Sequence, residues 1–337
     1  MAKGYAFALF ILLLCVSAGI LLDGQVPWEE VLAGAKLRLS GHTTAWNPLL
    51  DERLPRLIVL VSSGAALAVS GAVMQSLFHN PLASPGILGI TAGGSLLVLF
   101  VFILGWHAAY PLSTPLAAIA GSFLTLLLVY NLSKSKGRSQ VYSLVLTGIA
   151  ISTIFIAIQS AIIYCFRDNW TLIQILTEWQ AGSTYNRNWQ HVHMQLPLLI
   201  VGLSGCMIYR RELNILSLGE EEAANIGVDV KRIRWRLFLC VALLAGGALA
   251  TTGTIAFFGL ILPHLVRALN GPNHKSLIPY SMLGGAFTLP ALDLILRTFH
   301  LHFITIGNIS AILGGLFFFT LLYQSRKDDS KLRRSYA

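Results

Sequence analysis

Charge is scarce in this chain. Only 12% of its 337 residues are charged, and only 15 of them are acidic. The 77 residues from Leu57 to Ser133 contain no Asp, Glu, Lys or Arg. At about 20 residues per crossing, that stretch has room for about three membrane helices. Because lipid offers backbone polar groups no partners, and these runs lack the alternation of a barrel strand, the sequence predicts an all-α polytopic membrane protein.

Motifs of catalysis are also lacking. The sequence contains no Gly-x-x-x-x-Gly-Lys-Ser/Thr phosphate loop, no His-Glu-x-x-His and no Gly-x-Ser-x-Gly. Its four scattered cysteines have no metal or redox spacing. The pairs His191-x-His193 and His300-x-His302 lack Cys, Asp or Glu at ligand spacing, which disfavours a metal or haem site. We therefore expect no enzyme activity, no ATP hydrolysis and no cofactor bound by this chain.

Titratable groups are nearly absent from the apolar segments. Only Arg267, Asp293 and Arg297 approach a membrane plane, and each lies near the end of a segment. Ion-coupled and proton-coupled transporters need buried titratable groups. A stand-alone secondary transporter or channel is therefore a remote alternative, and a membrane enzyme is more remote still. The driving energy is expected to come from another protein.

The hydropathy pattern predicts about ten spans in a single transmembrane domain over 1–337. The first apolar segment lacks a small-x-small cleavage site, so a retained span is favoured over a cleaved signal peptide. Most of the 24 lysines and arginines fall in alternate loops, a set that includes both ends of the chain. The positive-inside rule then predicts cytoplasmic termini, and the net charge of +9 is attributed to topology rather than to nucleic-acid binding. The predicted spans are 6–22, 57–77, 87–105, 112–130, 141–164, 193–209, 235–251, 255–268, 278–296 and 305–323.

Small residues and prolines predict how the spans pack and where they break. Gly64, Ala68 and Ala72 recur at four-residue spacing, which is typical of helices that approach closely in lipid. Two prolines predict a cytoplasmic turn within 79–86. A helix predicted at about 171–181, in a long outer loop, would cap the outer mouth of a pore.

One compact acidic segment stands out, at about 216–229. Glu220, Glu221 and Glu222 are three of the 15 acids, and they lie between clusters of basic residues on the predicted cytoplasmic side. A lipid-facing loop has no need of a short, helix-compatible acidic segment, whereas a loop that contacts a soluble protein does. The segment is therefore predicted to receive a push from a soluble partner.

Several blocks of sequence occur in an order that is distinctive of one family. With them, the chain resembles, from about Val26 to Tyr323, the permease subunits of the bacterial ABC importers for ferric siderophores, haem and vitamin B12. The blocks are Arg53-Leu-Pro-Arg56, Ser70-Gly-Ala-Val-Met-Gln75, Asn80-Pro-Leu-Ala-Ser-Pro85, Leu146-Thr-Gly148, Trp179-Gln-Ala-Gly-Ser183, Leu216-Ser-Leu-Gly219 with Gly227, Phe258-Gly-Leu-Ile-Leu-Pro-His264 with Arg267, and Asp293 with Arg297.

The resemblance implies a type II ABC importer permease architecture with ten helices. It implies two cytoplasmic ATPase subunits that use ATP and Mg, a second permease subunit, and a periplasmic or lipid-anchored substrate-binding protein. The expected location is the bacterial cytoplasmic (inner) membrane. A paralogue is favoured over a second copy of this chain as the other permease. An iron–siderophore chelate is the favoured cargo, with haem or vitamin B12 as the alternative.

The resemblance also assigns roles to residues. Arg53, Arg56 and Arg297 match outer arginines that dock the binding protein. Because Asp293 and Arg297 are an i,i+4 acid–base pair, a neutralising role at the membrane edge is an open alternative for Arg297. The cytoplasmic gate matches Asn80 and Leu82, with Val141 and Tyr142 at the second gate position. The ATPase-coupling helices match Leu218, Gly219, Glu220, Glu221, Ala224 and Gly227.

Two departures from the family pattern occur near the C-terminus. The stretch Phe303-Ile-Thr-Ile-Gly307 stands where relatives usually carry Glu-x-Pro-Val-Gly. The stretch Gly314-Gly-Leu-Phe-Phe318 stands where they carry Gly-Ala-Pro-Phe-Phe. Both family prolines are missing, which bears on the shape of the last span but not on the resemblance itself.

Overall fold

Helices dominate the protein. The computed structural model describes residues 2–21, 28–40, 45–133, 140–185, 187–301 and 303–335, and no β-strand occurs in these ranges. Fifteen α-helices are found there, together with a π-helical turn at Leu49–Arg53 and a 3₁₀ turn at Pro85–Leu88. The α-helices are α1 Ala2–Leu21, α2 Trp28–Leu39, α3 Leu54–Leu77, α4 Ile90–Ile103, α5 Trp106–Ala109, α6 Ser113–Leu132, α7 Gln140–Cys165, α8 Trp170–Gln180, α9 Trp189–Ile208, α10 Arg210–Leu216, α11 Glu220–Asn225, α12 Val230–Thr252, α13 Phe258–Asn270, α14 His274–Thr298 and α15 Ile306–Ser335.

A helix occupies each of the ten predicted spans, and the all-α prediction is confirmed. Six helical stretches are long and apolar enough to cross a membrane by length and composition: Leu49–Leu77, Ser113–Leu132, Val141–Cys165, Trp189–Ile208, Val230–Thr252 and His274–Thr298. Three more, Ile11–Leu21, Ile90–Ile103 and Ile306–Thr320, are shorter apolar helices.

Two of the helices are shorter than the hydrocarbon layer is thick, and α4 is also shorter than its predicted span, 87–105. Helices α4 and α13 contain 14 and 13 residues, which at 1.5 Å per residue is about 20 Å, against about 30 Å for the hydrocarbon layer. Irregular chain precedes each of them. Helix α12 ends at Thr252 because Gly253, with φ of 71°, takes the left-handed conformation that glycine tolerates best.

Helix α3 is the centre of the bundle. Nearly all of its residues are buried, and it packs against α9, α12, α13 and α14. A Cβ atom on Gly64 would overlap the carbonyl oxygen of Gly285 on α14, and one on Gly71 would overlap that of Gly259 on α13. The small residues of α3 therefore permit the close helix approach that their spacing predicted.

Helix α7 leaves an apolar flank uncovered. Leu146, Ile149 and Ile156 are all more than half exposed on it. An apolar flank of this kind suits lipid or another apolar protein surface. Helix α15 continues without a break from Ile306, where the family prolines are missing.

Helix α8 lies where the cap helix was predicted. The side chain of Asn169 accepts a hydrogen bond from the backbone N–H of Leu172 at 3.2 Å, which caps its first turn. Its buried face carries Leu172 and Leu176, which join a core cluster with Phe102 of α4. The helix is thereby held against the bundle along one side.

Candidate functional site

Two polar clusters lie at opposite ends of the antiparallel pair α3 and α14. The first, which we call the arginine cluster, contains Arg53, Arg56, Arg187, Asp293 and Arg297. The second, which we call the His274 cluster, contains Ser76, His79, Asn214 and His274. Cavities lined by hydroxyl and amide side chains lie along the bundle, and the acidic segment adjoins the His274 cluster.

Asp293 of α14 holds the arginine cluster together. Its Oδ1 atom is 2.5 Å from Nη2 of Arg56 and accepts a hydrogen bond from Oγ1 of Thr184 at 3.1 Å. Its Oδ2 atom is 3.4 Å from Nε of Arg297. The side chains of Arg56, Asp293 and Arg297 are 4%, 2% and 9% exposed. The carboxylate therefore neutralises two buried cations from different helices.

Arg187 is a further cation in this cluster, and no sequence motif marked it. It donates a hydrogen bond to the carbonyl of Ser183 at 2.9 Å, while the guanidinium of Arg56 also lies over the ring of Tyr185 at 4.7 Å. Burial, and then the charge of Arg56, lower the pKa of Arg187 from its ordinary value to about 10. The group stays charged at neutral pH, so the cluster carries a positive excess.

The three arginines that match docking residues are thus found at one end of the bundle, with Arg53 bonded to the carbonyl of Leu21 at 2.8 Å. Arg53 is 5% exposed, Arg56 3% and Arg297 9%. Burial and the shared contact with Asp293 support a structural role for Arg56 and Arg297 in the isolated chain. Their docking role stays a prediction.

Two neighbouring cavities have no charged side chain among the described residues that line them. One, of about 270 Å³, lies between the irregular segments that precede α4 and α13. The other, of about 400 Å³, extends along α4 and α7, where Ser152 and Gln159 line it. Thr91 and Thr254 line both. The combined surface can offer hydrogen bonds but no fixed charge.

The predicted gate residues lie on two elements. Asn80 and Leu82 are in the turn after α3, where the Asn80 side chain accepts a hydrogen bond from the Leu82 backbone at 2.8 Å. Val141 and Tyr142 are in the first turn of α7. Leu82 is 49% exposed and Tyr142 60%. His79, with φ of 47°, turns the chain out of α3 just before the gate turn.

The acidic segment forms a short helix, α11, with one buried face and one exposed face. Glu220 is 2.5 Å from Nη2 of Arg234 on α12, a side chain that is only 2% exposed. Ala223 is fully buried in the central core. Leu218 and Ile226 are 67% and 64% exposed. An exposed apolar surface flanked by acids is therefore available beside α11.

The other predicted coupling residues fall on this same exposed side. Glu221, Ala224 and Gly227 are exposed, and Gly219 is half-buried. Gly219 and Gly227 bracket the helix with φ of 138° and 91°, values that favour glycine. Ile226 is an exposed apolar residue that the predicted coupling set left out.

No group of three or more His, Cys, Asp and Glu side chains suited to a metal ion occurs in the part of the chain that the structure describes. His191 is tied to its own helix start, where its Nδ1 atom lies 2.8 Å from the side chain of Asn188. His302 lies outside the described residues.

The model of the FecCD transport family matches residues 8–324, nearly the whole chain. The chain belongs to the FecCD transport family. Several permeases of known name are similar to this chain. The cobalamin import system permease BtuC of Halobacterium salinarum is 32% identical, over 89% of this chain and 80% of that protein. The hemin transport system permease HmuU of Yersinia pestis is 35% identical, over 86% and 87%. The Fe(3+) dicitrate transport system permease FecD of Escherichia coli is 35% identical, over 89% and 92%.

A solved structure agrees with the FecCD assignment. An inward-facing conformation of a metal-chelate type ABC transporter matches 96% of this chain and 99% of its own, with a TM-score of 0.81 and 29% identity. The family resemblance is thereby confirmed. FecCD proteins are multi-pass membrane permeases of ABC importers, and ATP hydrolysis belongs to separate subunits of those importers.

Proposed function

We propose that the chain is a permease subunit that moves an iron–siderophore chelate from an external binding protein to the cytoplasm. The proposal rests on the two neighbouring cavities. They are lined by hydroxyl and amide side chains, and no charged side chain is among the described residues that line them. A passage must hold its cargo weakly, because a tight site would trap it. Neutral hydrogen-bonding groups meet that requirement for a large polar chelate.

Haem or vitamin B12 is the second candidate cargo. The hemin permease is as similar to this chain as the dicitrate permease, at 35% identity each. A vitamin B12 permease of Vibrio vulnificus is 36% identical. The iron–siderophore proposal is favoured by the hydroxyl groups of the cavities, which suit the oxygen-rich surface of such chelates.

The proposed assembly contains two cytoplasmic ATPase subunits, a second permease and an external binding protein, in a bacterial inner membrane with both termini of this chain cytoplasmic. The exposed Leu218 and Ile226 beside α11 support an ATPase contact there. The apolar flank of α7 supports contact with another permease, for which a paralogue is our preference. No ATP or Mg site is assigned to this chain.

Substrate competition tests the cargo. The complete importer in proteoliposomes should take up a radiolabelled iron–siderophore chelate, and an excess of unlabelled chelate should suppress that uptake. Excess haem or cobalamin should leave it unchanged. Uptake of haem or cobalamin with no uptake of any iron–siderophore chelate would transfer the assignment to the second candidate.

The docking role of the arginine cluster is tested with neutral substitutions rather than with charge reversals. The substitution Arg56→Glu would place a second buried carboxylate beside Asp293. The region would then unfold through charge repulsion, whether or not Arg56 docks the binding protein. We expect Arg53→Gln and Arg297→Gln each to weaken binding of the external protein by about tenfold, since one lost charge-assisted bond contributes about 1.5–3 kcal/mol. Affinity is measured on the assembled complex at low and high salt.

A matched control for docking lies at the opposite end of the bundle. Arg236→Gln removes an exposed cation that is bonded to the Tyr209 hydroxyl at 2.9 Å, and it should leave affinity unchanged. If Arg53→Gln and Arg297→Gln bind the external protein as tightly as Arg236→Gln does, the docking role is wrong and the cluster is structural.

A further inference from the structure

The His274 cluster joins α10, which leads into the acidic segment, to the ends of α3 and α14. The side-chain oxygen of Asn214 on α10 accepts two hydrogen bonds from His274, from its backbone N–H at 2.8 Å and from its ring Nδ1 at 2.7 Å. The other ring nitrogen, Nε2, is hydrogen-bonded to the hydroxyl of Ser76 on α3. A continuous chain of hydrogen bonds thus connects three helices.

A second connection runs in parallel to the first. Nε2 of His79, two residues after the end of α3, lies 2.7 Å from the carbonyl oxygen of Leu216, the last residue of α10. The amide group of Asn214 also donates to the side chain of Asn273 at 3.0 Å, next to His274. Helix α10 is therefore fixed to both of its neighbours by polar contacts that reach α3 and α14.

Burial makes these contacts costly to break. His274 is 2% exposed, so a lost partner would leave a buried ring nitrogen without its hydrogen bond. Leu213 and Leu216 of α10 are also buried, in the same core as Phe78 of the α3 end. Helix α10 and the end of α3 are thus expected to move as one body.

The positions of these residues along the chain connect the His274 cluster to both the acidic segment and the gate turn. Helix α10 ends three residues before α11, the helix of the acidic segment. His79 directly precedes Asn80, the first residue of the gate turn. The acidic segment and the gate turn are thus joined through α10 and the His274 cluster, over a short path of contacts that ends at the exposed His79.

We propose that Asn214 and His274, together with Ser76 and His79, are positioning residues that transmit motion from the ATPase-contact segment to the gate turn. The inference rests on the proposed function and deepens it. It differs from a purely structural role because transmission predicts a change in cargo moved per ATP, whereas loss of structure predicts loss of the assembled complex.

Asn214→Leu tests the proposal, because it removes both acceptor contacts to His274 at nearly constant volume. In the complete importer we expect uptake per ATP hydrolysed to fall about tenfold, with ATP hydrolysis changed by less than about twofold. Asn214→Asp keeps an acceptor oxygen and should restore most of the ratio. Ser76→Ala, at the far end of the chain of contacts, should lower the ratio in the same direction.

A nearby hydroxyl deletion serves as the control. Ser276 is half-buried and bonds the carbonyl of Asn273, three residues away, among the contacts described. Ser276→Ala should leave uptake per ATP unchanged. An unchanged ratio in Asn214→Leu and Ser76→Ala would overturn the inference, as would a parallel fall of uptake and hydrolysis in both. If the wild-type importer moves no iron chelate, the proposed function fails instead.

Discussion

At the scale of single residues, the side chain of Asp293 pairs with two arginines, one on its own helix and one on α3. It lies between Arg56 and Arg297 and is within ion-pair distance of both. The pairing with Arg297 could be predicted, because residues four apart on a helix are neighbours. The pairing with Arg56, 237 residues away, could not, since nothing in the local sequence links the two positions.

Removal of the Asp293 carboxylate should destabilise the folded protein. We expect Asp293→Asn to lower the free energy of unfolding by about 3–5 kcal/mol, because it removes the carboxylate that pairs with two buried guanidinium groups. Chemical unfolding in detergent measures the difference. Asp168→Asn is the matched control, since the Asp168 side chain is 97% exposed. Equal stability of the two variants would show that the buried pairs contribute nothing net.

Glu220 shows that neighbouring acids of one segment differ. The sequence presents Glu220 and Glu221 as equivalent, yet Glu220 reaches the buried guanidinium of Arg234 whereas Glu221 is exposed. Such a difference depends on which face of a six-residue helix turns toward α12. The segment is too short for periodicity to reveal that face.

Matched amide substitutions separate the two acids. Glu220→Gln should speed amide hydrogen exchange over 217–229, because the segment loses its tie to α12. Glu221→Gln makes the same change of charge at an exposed position and should leave exchange unchanged. Hydrogen exchange with mass spectrometry gives both results, and equal exchange in the two variants would contradict the anchoring role of Glu220.

At the scale of helices, the apolar runs of the sequence predicted where helices occur better than they predicted how long those helices are. Helices α3, α12 and α14 extend close to their predicted spans because long apolar runs in lipid have few alternatives to helix. Helix α4 is shorter than its predicted span and α13 begins three residues later than predicted, since the segments before both helices are apolar too. Hydropathy does not distinguish a helix from buried irregular chain.

Close packing of α3 on α14 gives a prediction at this scale. A Cβ atom on Gly285 would overlap the carbonyl oxygen of Gly64, whereas one on Gly284 would meet no atom within 4 Å. We expect Gly285→Ala to cost about 1–3 kcal/mol of stability by forcing the helices apart. Gly284→Ala should be neutral or stabilising. Thermal unfolding of both variants in one detergent compares them, and equal melting temperatures would refute the contact.

At the scale of the whole molecule, the two ends of the α3–α14 pair carry different chemistry. One end holds a buried, positively charged cluster, and the other holds neutral side chains that lead to the acidic segment. The sequence predicted which residues lie at each end, through the family motifs. It could not predict the His274 cluster, because Ser76 and His274 are 198 residues apart and meet only in the folded bundle.

We infer that this chain forms a passage that another protein drives. Uptake of an iron–siderophore chelate into proteoliposomes, with the chain alone and with the complete importer, tests this inference. Uptake is expected only when the ATPase, ATP and binding protein are all present. Uptake by the chain alone, without ATPase or ATP, would contradict it and establish a secondary transporter or channel.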